Sequence, residues 1–95
     1  VNVPGAVAAH STKPVIGIPI ESGGMGGIDS LLSTAMMPPG VPVATVAVGK
    51  SGAKNSAILA IQILATSDDE LAQKLKDYKS NMRDEVLEKD KKLNS

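Results

Sequence analysis

The stretch "MPPGVPVATVAVGKSGAKNSAILAIQILA", Met37 to Ala65, decides the fold class. It opens on a rigid turn, Met37-Pro38-Pro39-Gly40. It then runs through Val43–Val48 as an unbroken apolar segment rich in β-branched valine. A short run of this kind, bounded by turn residues, is the pattern of a strand buried on both faces, as in a parallel sheet. Gly49–Gly52 interrupts it, and Ala53–Ala65 follows with Ala57, Ile58, Leu59, Ala60, Ile61, Ile63 and Leu64. That composition favours helix. A helix that is apolar nearly all round is expected to be covered on several sides. Strand, glycine loop and helix make a β–α unit.

The loop inside this unit contains Gly49-Lys50-Ser51, the ending of a phosphate-binding P-loop. The full pattern, G-x-x-x-x-G-K-[ST], needs a glycine five residues before Gly49. That position is Ala44, inside the strand. Nucleoside triphosphate binding is therefore not expected, and the glycines serve a tight β–α turn.

Working outward, Val15-Ile16-Gly17-Ile18 is a second short β-branched run, bracketed by Pro14 and Pro19. Glu21 to Gly27 follows as a loop with glycine at 23, 24, 26 and 27, suited to positive φ. Ile28–Ala35 predicts a short helix with Ile28, Leu31, Leu32 and Ala35 on one face. Pro4–Ala9 predicts another, since proline is tolerated at a first helical position, and Lys13-Pro14 ends it. Ser67-Asp68-Asp69-Glu70 matches a capping box, S-x-x-E, opening a last helix. That helix carries a narrow stripe of Leu71, Leu75, Tyr78, Met82 and Val86. Glu70–Lys74, Glu85–Lys89 and Glu88–Lys92 stand in the favourable i,i+4 order. Its charged end after Val86 is expected to fray, and residues 67–95 suit a docking arm or a solvated helix.

Helix, strand, helix, strand, helix, helix is the order of an α/β domain with a parallel sheet. Two strands do not make a stable sheet alone. Further strands are expected ahead of the first helix, so residues 1–95 read as the C-terminal portion of one domain. The start, Val1-Asn2-Val3-Pro4-Gly5, has no initiator methionine and no signal peptide, which points the same way.

The 95 residues hold ten basic and ten acidic side chains. A net charge of zero argues against a nucleic-acid binder, which shows a basic face. No apolar run approaches the roughly 18–20 residues of a membrane span. Cysteine is absent, which excludes disulfides and thiolate zinc sites and fits a reducing cytoplasm. Tyr78 is the single aromatic residue, so a core must be built from Ala, Val, Ile, Leu and Met. Such small apolar residues suit helix-on-sheet and subunit-on-subunit packing. The chain is expected to need partners.

In open α/β sheets, ligands sit outside the carboxyl ends of the strands. Glu21–Gly27 and Gly49–Gly52 both follow strands, and Asn2-Val3-Pro4-Gly5 leads into a helix N-terminus, which favours an anion or a polar ring edge. These three loops make one pocket rim. Acid–base machinery is sparse. His10, the only histidine, falls late in the first helix, away from the rim. Ser22, Ser30, Ser33 and Ser51 have no histidine partner for a triad. Glu21 suits a loop hydrogen-bonder and Asp29 a helix cap or first-turn acid. No metal-ligand spacing occurs, and no cofactor is expected.

The segments "PVIGIP", "GIDSLLS", "MPPGVPVATVAVG", "NSAILAIQILA" and the late "DEVLE" occur here in order and cover nearly the whole chain. Together with Pro4-Gly5 they resemble the N5-carboxyaminoimidazole ribonucleotide mutases, the catalytic subunits of phosphoribosylaminoimidazole carboxylase. The resemblance implies a flavodoxin-like, three-layer α/β/α fold with a five-stranded parallel sheet, of which this chain supplies the last two strands. It implies octamers with sites where subunits meet, a cytoplasmic location, and carboxylate transfer from N5 to C4 of an aminoimidazole ribonucleotide in purine biosynthesis. It carries substrate binding onto Asn2, Val3, Pro4, Gly5, Met37 and Pro38. Residues 1–5, 21–27 and 36–40 would supply walls and lids. Asn2 stands where the family usually has histidine, and Met36 where it usually has glutamine. The family's serine-aspartate phosphate loop and Ser-Ala-His-Arg segment have no counterpart in these residues, so no catalytic residue is assigned here. Two other readings stand beside this one: a relative that carboxylates aminoimidazole ribonucleotide with CO2 directly, and a non-catalytic α/β assembly module.

Overall fold

The computed structural model describes residues 3–21 and 26–94. The chain divides into two compact units, residues 1–60 and 61–95, with the division inside a helix. The elements follow the expected order: α1 (Val3–Ala9), β1 (Ile16–Gly17), α2 (Ile28–Ala35), β2 (Ala44–Thr45), α3 (Lys50–Ala65) and α4 (Asp69–Leu93). This is a mixed α/β arrangement around a small parallel sheet.

In the first unit β1 and β2 pair in parallel, with Ile16 opposite Ala44 and Gly17 opposite Thr45. The pairing extends past the two-residue ladder. Ala44 N–H donates to the Val15 carbonyl at 2.9 Å, and Gly49 N–H donates to the Pro19 carbonyl at 2.9 Å. Residues 15, 17 and 19 thus turn their carbonyls toward β2, and residues 16 and 18 face the other edge. The entry to β2 is set by Pro38–Val41. Val41 N–H bonds the Pro38 carbonyl at 3.1 Å, and Gly40 has φ +94°. Proline at the second place and positive-φ glycine at the third are the requirements of a type II turn.

Both strands were expected to be buried on two faces. They are only half-buried: Ile16, Val43, Thr45 and Val46 keep partial exposure, and Ala44 is exposed. Nor is α3 covered, although its sequence is apolar nearly all round. Gly52 is its one buried residue, and Leu64 is 60% exposed. Among the described residues, no Ala, Val, Ile, Leu, Met or Tyr side chain is buried. The physical reason is that two strands and their flanking helices supply too few layers to close over these faces.

α2 shows how packing departs from hydrophobic periodicity. Its apolar residues Ile28, Leu31 and Leu32 are exposed, and so is Ala35. The buried side chain is Thr34, at 7% exposure, whose hydroxyl donates to the Ser30 carbonyl at 2.8 Å. The Thr34 methyl lies where a Cβ on Gly17 would be. The helix therefore seats on β1 through small groups, a threonine methyl against a bare glycine Cα. Its hydroxyl is satisfied locally, so burial leaves no unpaired polar group.

In the second unit a tight turn joins α3 to α4. Thr66, Ser67 and Asp68 N–H groups donate to the carbonyls of Ile63, Leu64 and Ala65, each at 3.3 Å. The N-cap of α4 is Asp68, not the Ser67 of the expected capping box. Asp68 has extended backbone, and its carboxylate accepts from Leu71 N–H at 3.1 Å. Ser67 is spent on closing the turn, and Asp69 and Glu70 fall in the first helical turn, where acids are favoured. Glu70 and Lys74 pair at 3.7 Å. Replacing Asp68 with alanine is therefore expected to destabilise the start of α4 by about 1 kcal/mol, whereas Ser67→Ala leaves it nearly unchanged. Amide exchange at Leu71 and Ala72 in both variants checks this; equal effects would reinstate Ser67 as the cap.

Helix α4 extends past Val86. The helix continues to Leu93, with Lys91 and Lys92 in its last turn, where cations are favoured. Leu71, Leu75 and Tyr78 are half-buried, and Met82, Val86, Leu87 and Leu93 are exposed.

Candidate functional site

The carboxyl ends of β1 and β2 form the rim on which two loops converge. Pro19, whose side chain is fully buried, closes β1, and its carbonyl holds Gly49 at the end of β2. Gly49 has φ +75°, a conformation that turns the chain directly from strand into α3. Because its N–H is taken by Pro19, it cannot line a phosphate cradle. The tail of a P-loop in the sequence is here a strand-to-helix corner.

Gly27 lies against the side chain of Val48 and has φ +84°. It is the N-cap of α2 and makes no side-chain cap. The N-termini of α2 and α3 therefore open beside one another, each led by a positive-φ glycine. The first N–H groups of a helix have no partner within it, and the aligned peptide dipoles leave partial positive charge there. Such a rim suits a carboxylate or a polar ring edge. Exposed Glu21, Asp29 and Lys50 stand around it. Asp29 is a first-turn acid of α2, as one of its two expected roles had it.

Each residue assigned from the sequence has a definite place except Asn2, which lies outside the described residues, as do Ser22–Met25 of the glycine loop. Val3 opens α1 and is exposed; Pro4 is half-buried and Gly5 buried. The Pro4 Cβ lies 3.4 Å from the point where Gly17 would carry its own Cβ, so the first turn of α1 rests on β1. Met37 is half-buried and follows α2, and Pro38 is exposed and opens the type II turn.

Met37 and Pro38 precede β2, on the side where the chain enters the sheet. Farther along α1, Ala8 shares a groove of about 570 Å³ with Ser11, Lys13, Gly40 and Pro42, at the amino ends of both strands. Thus α1 runs counter to the strands: its start lies over Gly17 and its end lies toward Gly40. Pro4 thus lies against Gly17 of β1, where Val43 also packs, and Met37 and Pro38 stand between α2 and β2.

His10 follows α1 as an exposed turn residue, its N–H on the Val7 carbonyl at 3.1 Å. Among the described residues no three His, Cys, Asp or Glu side chains cluster to hold a metal ion, and no helix is long and apolar enough to cross a membrane.

What fold and rim define is an α/β protein with a small parallel sheet, whose strand carboxyl ends meet glycine corners and helix N-termini. The model of the AIR carboxylase family matches residues 1–85. The chain belongs to that family. It is 52% identical over 87 residues to the N5-carboxyaminoimidazole ribonucleotide mutase of Escherichia coli K12, covering 92% of this chain and 52% of that protein. The Bacillus subtilis protein of the same name is 49% identical over 92 residues, covering 97% and 57%. The Saccharolobus solfataricus one is 55% identical over 86 residues, covering 90% and 53%. The chain spans about half the length of the curated relatives it matches.

Proposed function

We propose that this chain is the C-terminal portion of an N5-carboxyaminoimidazole ribonucleotide mutase, an isomerase of purine biosynthesis. The observation that carries the reading is identity of about half of all positions, over nearly the whole chain, to relatives bearing that name. The two strands here would be the last two of a flavodoxin-like, three-layer parallel sheet, and the location would be cytoplasmic.

In the reaction the carbamate N–C bond breaks, nitrogen regains a proton, a C–C bond forms at C4, and the C4 proton leaves. If CO2 is freed and recaptured in the site, water must be kept out. The part of this chain is to build walls: Asn2, Val3, Pro4 and Gly5 beside the imidazole ring, and Met37 and Pro38 as a second wall. The second wall comes from a neighbouring copy. The site then forms between subunits, in an octamer by resemblance to the family. The proton-transferring group and the phosphate loop come from outside these 95 residues.

Substrate labelled with ¹³C in the N5 carboxylate is the direct test. The assembled enzyme is expected to retain the label in the C4 carboxylate without added CO2. Complete dilution by dissolved CO2 would favour the direct carboxylase, whose family description the chain also matches. The purified 95-residue chain is expected to give no turnover, and conversion by it alone would overturn the division of labour.

The uncovered faces suit the same assembly. Leu32 is 53% exposed on α2, next to Leu31 and to Met36 at 77%. Placing a carboxylate there by Leu32→Glu is expected to leave the seat of α2 on Gly17 intact and to shift the protein toward smaller species in sedimentation. An unchanged sedimentation coefficient would remove α2 from the subunit interface.

A further inference from the structure

We draw no further inference here: the strongest candidate, the outward apolar face of α2 formed by Ile28, Leu31, Leu32 and Met36, belongs to the assembly surface already proposed, and nothing in the structure shows what covers it.

Discussion

Replacing Gly52 with alanine is expected to disrupt the β2–α3 corner and sharply reduce the yield of folded protein. Gly52 lies in the first turn of α3 and is buried. A Cβ there would run into the backbone carbonyl oxygen of Ala47, with the Ala47 carbonyl carbon at 2.8 Å and the Ile18 Cγ2 at 3.1 Å. The obstacle is main chain, so no rotamer change relieves it. Alanine would gain up to about 1 kcal/mol in helix propensity and unfolded-state entropy. Overpacking a tight site costs about 1–3 kcal/mol even where side chains can yield, and more where they cannot. The collision wins. The measurement is amide exchange at Gly49, whose N–H holds the two strand ends together through Pro19, with soluble yield beside it. Protection is expected to fall by more than about tenfold, which corresponds to 1.4 kcal/mol. Gly40→Ala is the control: open space surrounds it, and the cost is the positive φ alone, about 1–2 kcal/mol. Equal protection in wild type and Gly52→Ala would show that the corner is free to move.

The second large effect concerns the chain in isolation. Residues 1–95 on their own are expected to lack a cooperative thermal transition as a monomer. Folding must offset roughly 1–2 kcal/mol of backbone entropy per residue, chiefly by burying apolar surface. Among the described residues no Ala, Val, Ile, Leu, Met or Tyr side chain is buried, and the fully buried side chain is the small ring of Pro19. The ladder is two residues long on each side. Helices α2, α3 and α4 each hold apolar residues in water. Calorimetry with sedimentation on the same sample decides the point. A monomer with a sharp heat-absorption peak would sink the expectation; a broad transition, or a sharp one only in an associated species, would uphold it.

The element order was legible because each segment carries its own local chemistry. Proline brackets β1, Pro39-Gly40 sets the turn, Gly49 marks the strand-to-helix corner, and propensity alone identifies α3. Two things were not legible. The first was the seat of α2. Periodicity ranks faces by hydrophobicity, and the Thr34 face loses that ranking to Ile28, Leu31 and Leu32. What places Thr34 inward is the absence of a side chain on Gly17, seventeen positions upstream, which no local pattern contains. The second was the cap of α4. Ser67 and Asp68 are both good caps, and a capping-box pattern favoured the serine. The three-residue turn after Ala65 consumes Ser67 and leaves Asp68 at the boundary. Of the candidate site, the glycine corners at 27 and 49 were readable, but the direction of α1 against the strands was not.

The prolines at 14 and 19 have a consequence for how this chain behaves while unassembled. On the edge of β1 turned away from β2, the outward positions are 14, 16 and 18. Pro14 offers no N–H there, so a foreign strand meets a missing donor within one pleat of entering. Pro19 fixes the backbone immediately beyond Ile18. Only four residues, Val15 to Ile18, remain as a template, shorter than the six or seven that sustain a steric zipper. An open apolar edge is thereby made a poor template for recruiting copies of itself into fibrils, a protection that depends on ring closure at two backbone nitrogens rather than on charge.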